Sequence, residues 1–180
     1  MTSDEFSYDI KIPLERVGVL IGPKGEVKKQ IEEALKIQLQ ITAEGDVNIL
    51  GDDGLNLFTA REIVQAIGRG FNPKTAILLT NTDYSLEIVN LKDAAGKNKN
   101  TMERLKGRVI GTGGKAREEV ERLTDTNICV YGKTISIIGE TGQVTIARDA
   151  MAMLINGSMH KTVYQFLEKR RKENMFEGRL

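Results

Sequence analysis

The sequence predicts an α+β protein of two tandem β-α-loop-α-β-β-α units. Each unit is read as a three-stranded antiparallel sheet covered by helices on one face, and one more helix follows at the C-terminus. Three observations predict this: an internal repeat, a glycine loop at the same place in both copies, and hydrophobic patterning that changes between strand and helix periods in the same order twice.

The repeat is direct. Val19-Leu20-Ile21-Gly22-Pro23-Lys24-Gly25 returns as Arg108-Val109-Ile110-Gly111-Thr112-Gly113-Gly114, an offset of 89. Leu39 and Ile41 match Ile128 and Val130 at 89; Val47, Ile49 and Gly51 match Ile135, Ile137 and Gly139 at 88. Ala60-Arg61 and Gly70 match Ala147-Arg148 and Gly157 at 87. So slow a drift is the mark of a duplicated domain with small loop changes.

In the first copy, Tyr8–Ile12 alternates as a strand and a helical stretch from Leu14 leads into the glycine loop. Glu26–Leu35 places Val27, Ile31 and Leu35 four apart on one helix face. Ile37–Ile41 and Val47–Leu50 form a hairpin around Glu44-Gly45-Asp46. Asp52-Asp53-Gly54 supplies a turn and a cap for the long helix Leu55–Gly68. The second copy repeats the order: strand Leu86–Leu91, a helix ending near Val109, the loop, helix Ala116–Thr124, a hairpin across Tyr131-Gly132-Lys133, and helix Val144–Ile155.

Two features are unshared. Lys92–Thr101 is a Gly/Asn/Lys-rich insertion between strand and loop in the second copy. The C-terminal stretch His160–Glu173 sets Val163, Phe166 and Leu167 against the basic run Lys169-Arg170-Arg171-Lys172. Asn72-Pro73 reads as an N-cap followed by Pro at the first helical position, so Thr75–Thr80 is a short helical linker. The expected boundaries are 6–71 for the first domain, 72–83 for the linker, 84–158 for the second domain, and 159–180 for the basic amphipathic helix and tail.

Composition narrows the function. Of 180 residues, 40% are hydrophobic but only 5% aromatic, with no Trp, so the cores are aliphatic. Net charge is +1, yet residues 1–82 carry 9 basic against 12 acidic groups, and residues 83–180 carry 17 against 13. Attraction for phosphate therefore concentrates in the second half. A single Cys and a single His leave no disulfide framework and no Cys/His metal set within one chain. The first residues lack a signal-peptide pattern, and no apolar run reaches the roughly 20 residues of a membrane span. A soluble, cytoplasmic monomer with no cofactor and no membrane contact is expected.

The glycine loops carry the chemistry. Glycines let the backbone pass close to a phosphate, and each loop runs into a helix N-terminus, where unpaired N–H groups and the helix dipole favour an anion. Lys24 and Lys28 flank the first loop; Arg108, Lys115 and Arg117 flank the second. The aliphatic floor beside them (Ile21, Val27, Leu39 and Ile41; Ile110, Ala116, Ile128 and Val130) suits unpaired bases, although a sheet face must be covered whatever its role. The residues assigned to RNA are Ile21, Gly22, Pro23, Lys24, Gly25 and Lys28 in the first copy. In the second they are Arg108, Ile110, Gly111, Thr112, Gly113, Gly114, Lys115, Arg117, Ile128 and Val130.

A lone G-x-x-G is common in any turn; two, each set in the same βααββα string, are not. Enzymatic readings fail on detail. Gly111–Ala116 lacks both the glycine spacing and the hydroxyl residue of a nucleotide phosphate loop. Cys129 sits mid-strand among aliphatics and reads as buried and inert, and His160 has no evident partner. No catalytic constellation emerges.

Both loops resemble the signatures of type I KH domains. A wider pattern is more specific: Arg104-Leu105-Lys106-Gly107-Arg108-Val109-Ile110-Gly111, Leu123-Thr124, Ile128–Thr134, Ile137-Ile138-Gly139, and the junction Ala66-Ile67-Gly68-Arg69-Gly70-Phe71-Asn72-Pro73. With these the chain resembles, from about residue 8 to 170, the archaeal members of the partner-of-Nob family of small-subunit ribosome assembly proteins. The resemblance implies binding of pre-rRNA near the 3′ end of the small-subunit RNA. It also implies two protein partners, a PIN-domain endonuclease and the α subunit of translation initiation factor 2. Eukaryotic members tend to lose the first glycine loop, which is present here. Many KH domains hold an aliphatic residue where this chain has Lys28 and Arg117. The competing readings are a general RNA chaperone or mRNA-binding KH protein, and a protein-interaction scaffold.

Overall fold

The computed structural model describes residues 6–178 and divides into two compact units, one up to Tyr84 and one from Ser85. In the first unit, β1 (Phe6–Lys11), α1 (Leu14–Ile21), α2 (Glu26–Leu35), β2 (Gln38–Ile41), β3 (Asp46–Gly51) and α3 (Gly54–Gly68) follow in order. The sheet order is β1-β3-β2, antiparallel throughout. Leu39 stands opposite Ile49, and both are buried under the helices, while Gln38 and Gln40 point to solvent. Leu20, Ile31, Leu57, Ile63 and Ile67 complete a core with no measurable exposure beyond 1%. Burying each such side chain is worth about 1.5–3 kcal/mol. Asp53 caps α3, accepting from the amides of Leu55 and Asn56.

The second unit contains β4 (Tyr84–Asn90), α6 (Lys99–Ile110), α7 (Lys115–Thr124), β5 (Asn127–Tyr131), β6 (Thr134–Glu140) and α8 (Thr141–Ile155), with sheet order β4-β6-β5. Its core gathers Leu91, Met102, Leu105, Val109, Val120, Ile128, Ile135, Ile137, Met151 and Leu154. The insertion is folded: α5 (Lys92–Ala95) forms one turn, and Asn98 caps α6 by accepting from the Thr101 amide at 3.0 Å.

The segment read as a linker packs within the first unit. Asn72 accepts from the Lys74 amide and starts α4 (Pro73–Ala76), followed by a 3₁₀ turn over Ile77–Thr80 that lies against α2 and α3. The second unit has α9 (His160–Glu177) in the corresponding place, against α7 and α8. Pro73 and His160 are 87 apart, the offset that also relates Gly70 to Gly157. The repeat therefore runs past the third helix, and the first unit stops after about two turns where the second continues. Val163 and Leu167 bury this helix in the second core.

An arginine fastens each third helix at its C-terminal end, where carbonyls lack intrahelical donors. Arg16 donates from Nε to the Ile67 carbonyl and from Nη2 to the Phe71 carbonyl, both at 2.7 Å. Arg108 donates from Nε to Leu154 at 2.9 Å and from Nη2 to Ser158 at 2.5 Å. The carbonyls obey the repeat offset of 87, but the arginines lie about one helical turn apart on their helices. Arg108, expected beside phosphate, spends its guanidinium on the protein's own backbone.

The two glycine loops have the same backbone. Gly22 sits at φ 72°, ψ 174° and Gly111 at φ 72°, ψ 176°. Gly25 and Gly114, at φ 76° and 82°, are left-handed caps before α2 and α7. A Cβ at Gly111 would come within 2.6 Å of Ala116 Cβ and 2.8 Å of its amide; at Gly22 it would run into Val27. At the loop tip, Lys24 (φ 52°, ψ 24°) and Gly113 (φ 62°, ψ 22°) share one left-handed conformation, so that position accepts a side chain.

Two outcomes are expected. Arg108→Ala lowers the urea midpoint, followed by circular dichroism, through a loss of about 1.5–3 kcal/mol from the charged hydrogen bonds. Arg108→Lys restores only part of it, because one ammonium lacks the planar fork. Gly111→Ala costs more than Gly114→Ala, since about 1–3 kcal/mol of strain is joined by the collision with Ala116. Gly113→Lys costs about 1–2 kcal/mol, with no collision added, and a Gly113→Lys chain less stable than Gly111→Ala would refute the loop geometry.

Candidate nucleic-acid interface

Each loop ends in a helix whose cap makes no side-chain hydrogen bond, at α2 and at α7 alike. The exposed tips are Pro23 and Lys24 in one loop and Thr112 and Gly113 in the other, with Lys115 exposed at the first position of α7. Amides, dipole and a cation thus face the same solvent. Glu26 opens α2, where the second copy has Lys115, so the two helix starts differ in charge as well.

The groove wall beside each loop is pinned by a glutamate. Glu32 Oε1 accepts from the Leu39 amide at 2.8 Å, and Glu121 Oε1 accepts from the Ile128 amide at 2.7 Å. Each satisfies the first inward residue of an edge strand, β2 or β5, that would otherwise need water. The same carboxylates hold the cations that replace the usual aliphatic residue. Lys28 Nζ lies 3.8 Å from Glu32 Oε1, and Arg117 Nε lies 3.7 Å from Glu121 Oε2. Both cations are half-buried, and Arg117 Nε is buried without a hydrogen-bond partner. A Cβ on Gly114 would lie 3.9 Å from Arg117 Nη2, so this guanidinium reaches back to the loop.

Not every assigned residue lines a surface. Ile128, 4% exposed, belongs to the second core, as Leu39 and Ala116 belong to the interior of their units; Val130 packs partly against that core. Ala116 and Val27 support the first glycine of each loop. Ile21 and Ile110 close α1 and α6 half-buried, just before the loops. Cys129, read as buried, is half-buried on β5.

His160, read as lacking a partner, has one. Its Nε2 donates to the Arg108 carbonyl at 2.8 Å, and its ring stands 6.2 Å from that of Tyr164. Both rings line a cavity of ≈ 450 Å³ with Arg104, Gly107, Thr112 and Lys115, at the foot of the second loop. Partial burial and then the Glu119 carboxylate hold the Tyr164 phenol above its usual pKa; Glu119 itself is lowered by its hydrogen bond from Arg122. The first unit carries Pro73 and Ile77 at these places. Among the described residues no group of three or more His, Cys, Asp and Glu converges to hold a metal, and no helix is long and apolar enough to cross a membrane.

Comparison with known proteins agrees with this geometry. Residues 7–66 match the KH domain, and residues 85–172 match the eukaryotic type KH-domain (KH-domain type I). A KH domain-containing protein of Methanocaldococcus jannaschii is 49% identical over 91% of this chain and 74% of its own length. The RNA-binding protein pno1 of Dictyostelium discoideum is 28% identical over 91% of this chain and 71% of its own. The pre-rRNA-processing protein PNO1 of Candida albicans is 29% identical over 88% and 59%. Among solved structures, Dim2p of Pyrococcus horikoshii superposes with a TM-score of 0.85 at 41% identity, covering 91% of this chain and 99% of that one. A chain of the a/eIF2alpha-aDim2p-rRNA complex of the same organism gives 0.88 at 41% identity, covering 96% and 97%. A doubled type I KH fold, both glycine loops and near full-length identity lead to one assignment: the chain belongs to the PNO1/Dim2 family of KH-domain proteins.

Proposed function

We propose that this protein binds single-stranded RNA of the small ribosomal subunit during its assembly, and that it acts by holding that RNA without catalysis of its own. The observation that carries the reading is the pair of glycine loops with one backbone geometry, each opening onto an uncapped helix start. Such a loop lets a sugar-phosphate strand lie against backbone amides, with bases directed to the adjoining groove. The relatives named for pre-rRNA processing and the solved rRNA complex support ribosomal RNA as the ligand, and the latter also supports the α subunit of initiation factor 2 as a protein partner.

The two loops are unequal in this proposal. The second stands in the basic half of the chain, with Lys115 and Arg117 beside Gly111–Gly114, and is the main clamp. Arg108 acts there as a brace, and Ile128 as core beneath the groove. The first loop keeps the geometry in an acidic half, so Lys24 and Lys28 give it a weaker hold on RNA and leave its unit available for a protein partner.

Fluorescence anisotropy with single-stranded RNAs, including the 3′ region of the small-subunit rRNA, tests this. Replacing Thr112 and Gly113 together by Asp puts carboxylates where phosphate lies and is expected to weaken binding at least about a hundredfold. The matching change at Pro23 and Lys24 is expected to cost about tenfold or less. Unchanged binding by both double variants refutes the loop mechanism, and a larger loss from the first loop refutes the ranking.

A further inference from the structure

The lysine-rich insertion of the second unit is absent from the first and plays no part in the loop chemistry. Its backbone is closely tied down. The Leu91 amide donates to the Lys133 carbonyl at 2.9 Å, as the Ile12 amide donates to Gly45 in the first unit. From that shared anchor the units diverge: Pro13 leads straight into α1, whereas Lys92–Asn98 makes α5, turns at Gly96 (φ +57°) and caps α6. Asn90 Oδ1 accepts from the Lys92 amide at 3.0 Å, and Leu91, Ala95 and Met102 are buried in the core below.

This scaffold encloses a cavity of ≈ 670 Å³ on which Lys92, Lys97, Lys99, Lys106 and Lys133 converge, with Met102 in its wall. Glu103 is the one carboxylate in the lining, and it pairs with Lys106 at 3.4 Å. Lys92, Lys97, Lys99 and Lys133 form no ion pair among the described residues and are exposed. Four like charges held around one cavity repel each other and stabilise nothing in the chain itself. They gain once an anion enters. The corresponding turn of the first unit is Glu44-Gly45-Asp46, where the same place is acidic.

The position relates this cavity to the loop. α6 begins at the cavity with Lys99 and ends at Ile110, which leads into Gly111; at about 1.5 Å per residue the helix spans roughly 17 Å. β5, the edge strand of the groove, ends at the Gly132-Lys133 turn that lines the cavity. A strand running along α6 therefore has the glycine loop at one end and the lysines at the other.

We propose that Lys92, Lys97, Lys99 and Lys133 form a second phosphate-binding site, which takes the sugar-phosphate backbone of the same RNA strand beyond the nucleotides held at Gly111–Gly114. The site rests on the RNA-binding reading above and extends it. It makes the insertion a ruler: RNA long enough to reach both ends of α6 binds more tightly, and more steeply with salt, than RNA that covers the loop alone.

The test compares a labelled RNA of four nucleotides, the span that a G-x-x-G loop clamps, with one of about twelve. The probes are titrated against the full chain and against Lys97→Ala/Lys99→Ala/Lys133→Ala over a range of salt. These lysines are exposed, and an unchanged thermal melt confirms that the variant folds. For the longer RNA the variant is expected to bind at least about tenfold more weakly, and the slope of log K against log salt to fall by about 2, from roughly 0.7 per phosphate released on a single strand. Binding of the short RNA stays within about twofold. An unchanged slope on the longer RNA, or equal losses at both lengths, overturns the second site while the loop reading stands. Failure of the unaltered chain to bind either RNA overturns the loop reading, and this site with it.

Discussion

At Gly22 and Gly111 two helices meet so closely that a single added carbon would strike the residue five positions on. That contact sets the rest. It fixes the angle at which α1 delivers the chain to α2, and α6 to α7. It also leaves the start of the second helix open, and sets the exposed tip in a left-handed turn in front of it. Only glycine reaches φ 72° with ψ near 175° without penalty. An anion-accepting backbone follows from packing, with no side chain needed to build it.

Around that contact the duplication keeps some devices and lets others drift. Glu32 and Glu121 are in register, and each ties a helix to an edge strand while holding a cation at the groove. The arginine brace is kept in function and moved in sequence: the same pair of carbonyls is reached from Arg16 in one unit and from Arg108 in the other. A long side chain can bridge from either of two successive turns on one helix face, so selection for the bond leaves the position free to move. Charge is where the units part. The second gathers Lys115, the insertion lysines and the longer helix α9, while the first holds acidic groups at the corresponding turn.

Much of this was legible in the sequence, for physical reasons that differ by element. The helices and strands announce themselves because one face of each must be apolar, and the duplicated loop is visible because its glycines answer to sterics. Glu26–Leu35 is found at the predicted bounds, and α6 ends within one residue of its predicted stop. Side-chain partners were harder to read. Arg108 beside a glycine loop looks like a phosphate ligand, and only the fold brings the end of α8 within its reach. His160 looked unpartnered because the Arg108 carbonyl is 52 residues away. The linker and the C-terminal helix looked unrelated because Pro73 and His160 differ in kind; the signal that joins them is Lys74-Thr75, which returns as Lys161-Thr162 at the offset of 87.

Amide chemical shifts followed during titration with a single-stranded small-subunit rRNA segment test the central claim most directly. The account predicts that the largest shifts fall on Thr112–Arg117, with smaller ones on Lys24–Lys28 and none on the outer faces of the sheets. Shifts confined to the sheets or to α3 and α8, with both glycine loops unmoved, would contradict it.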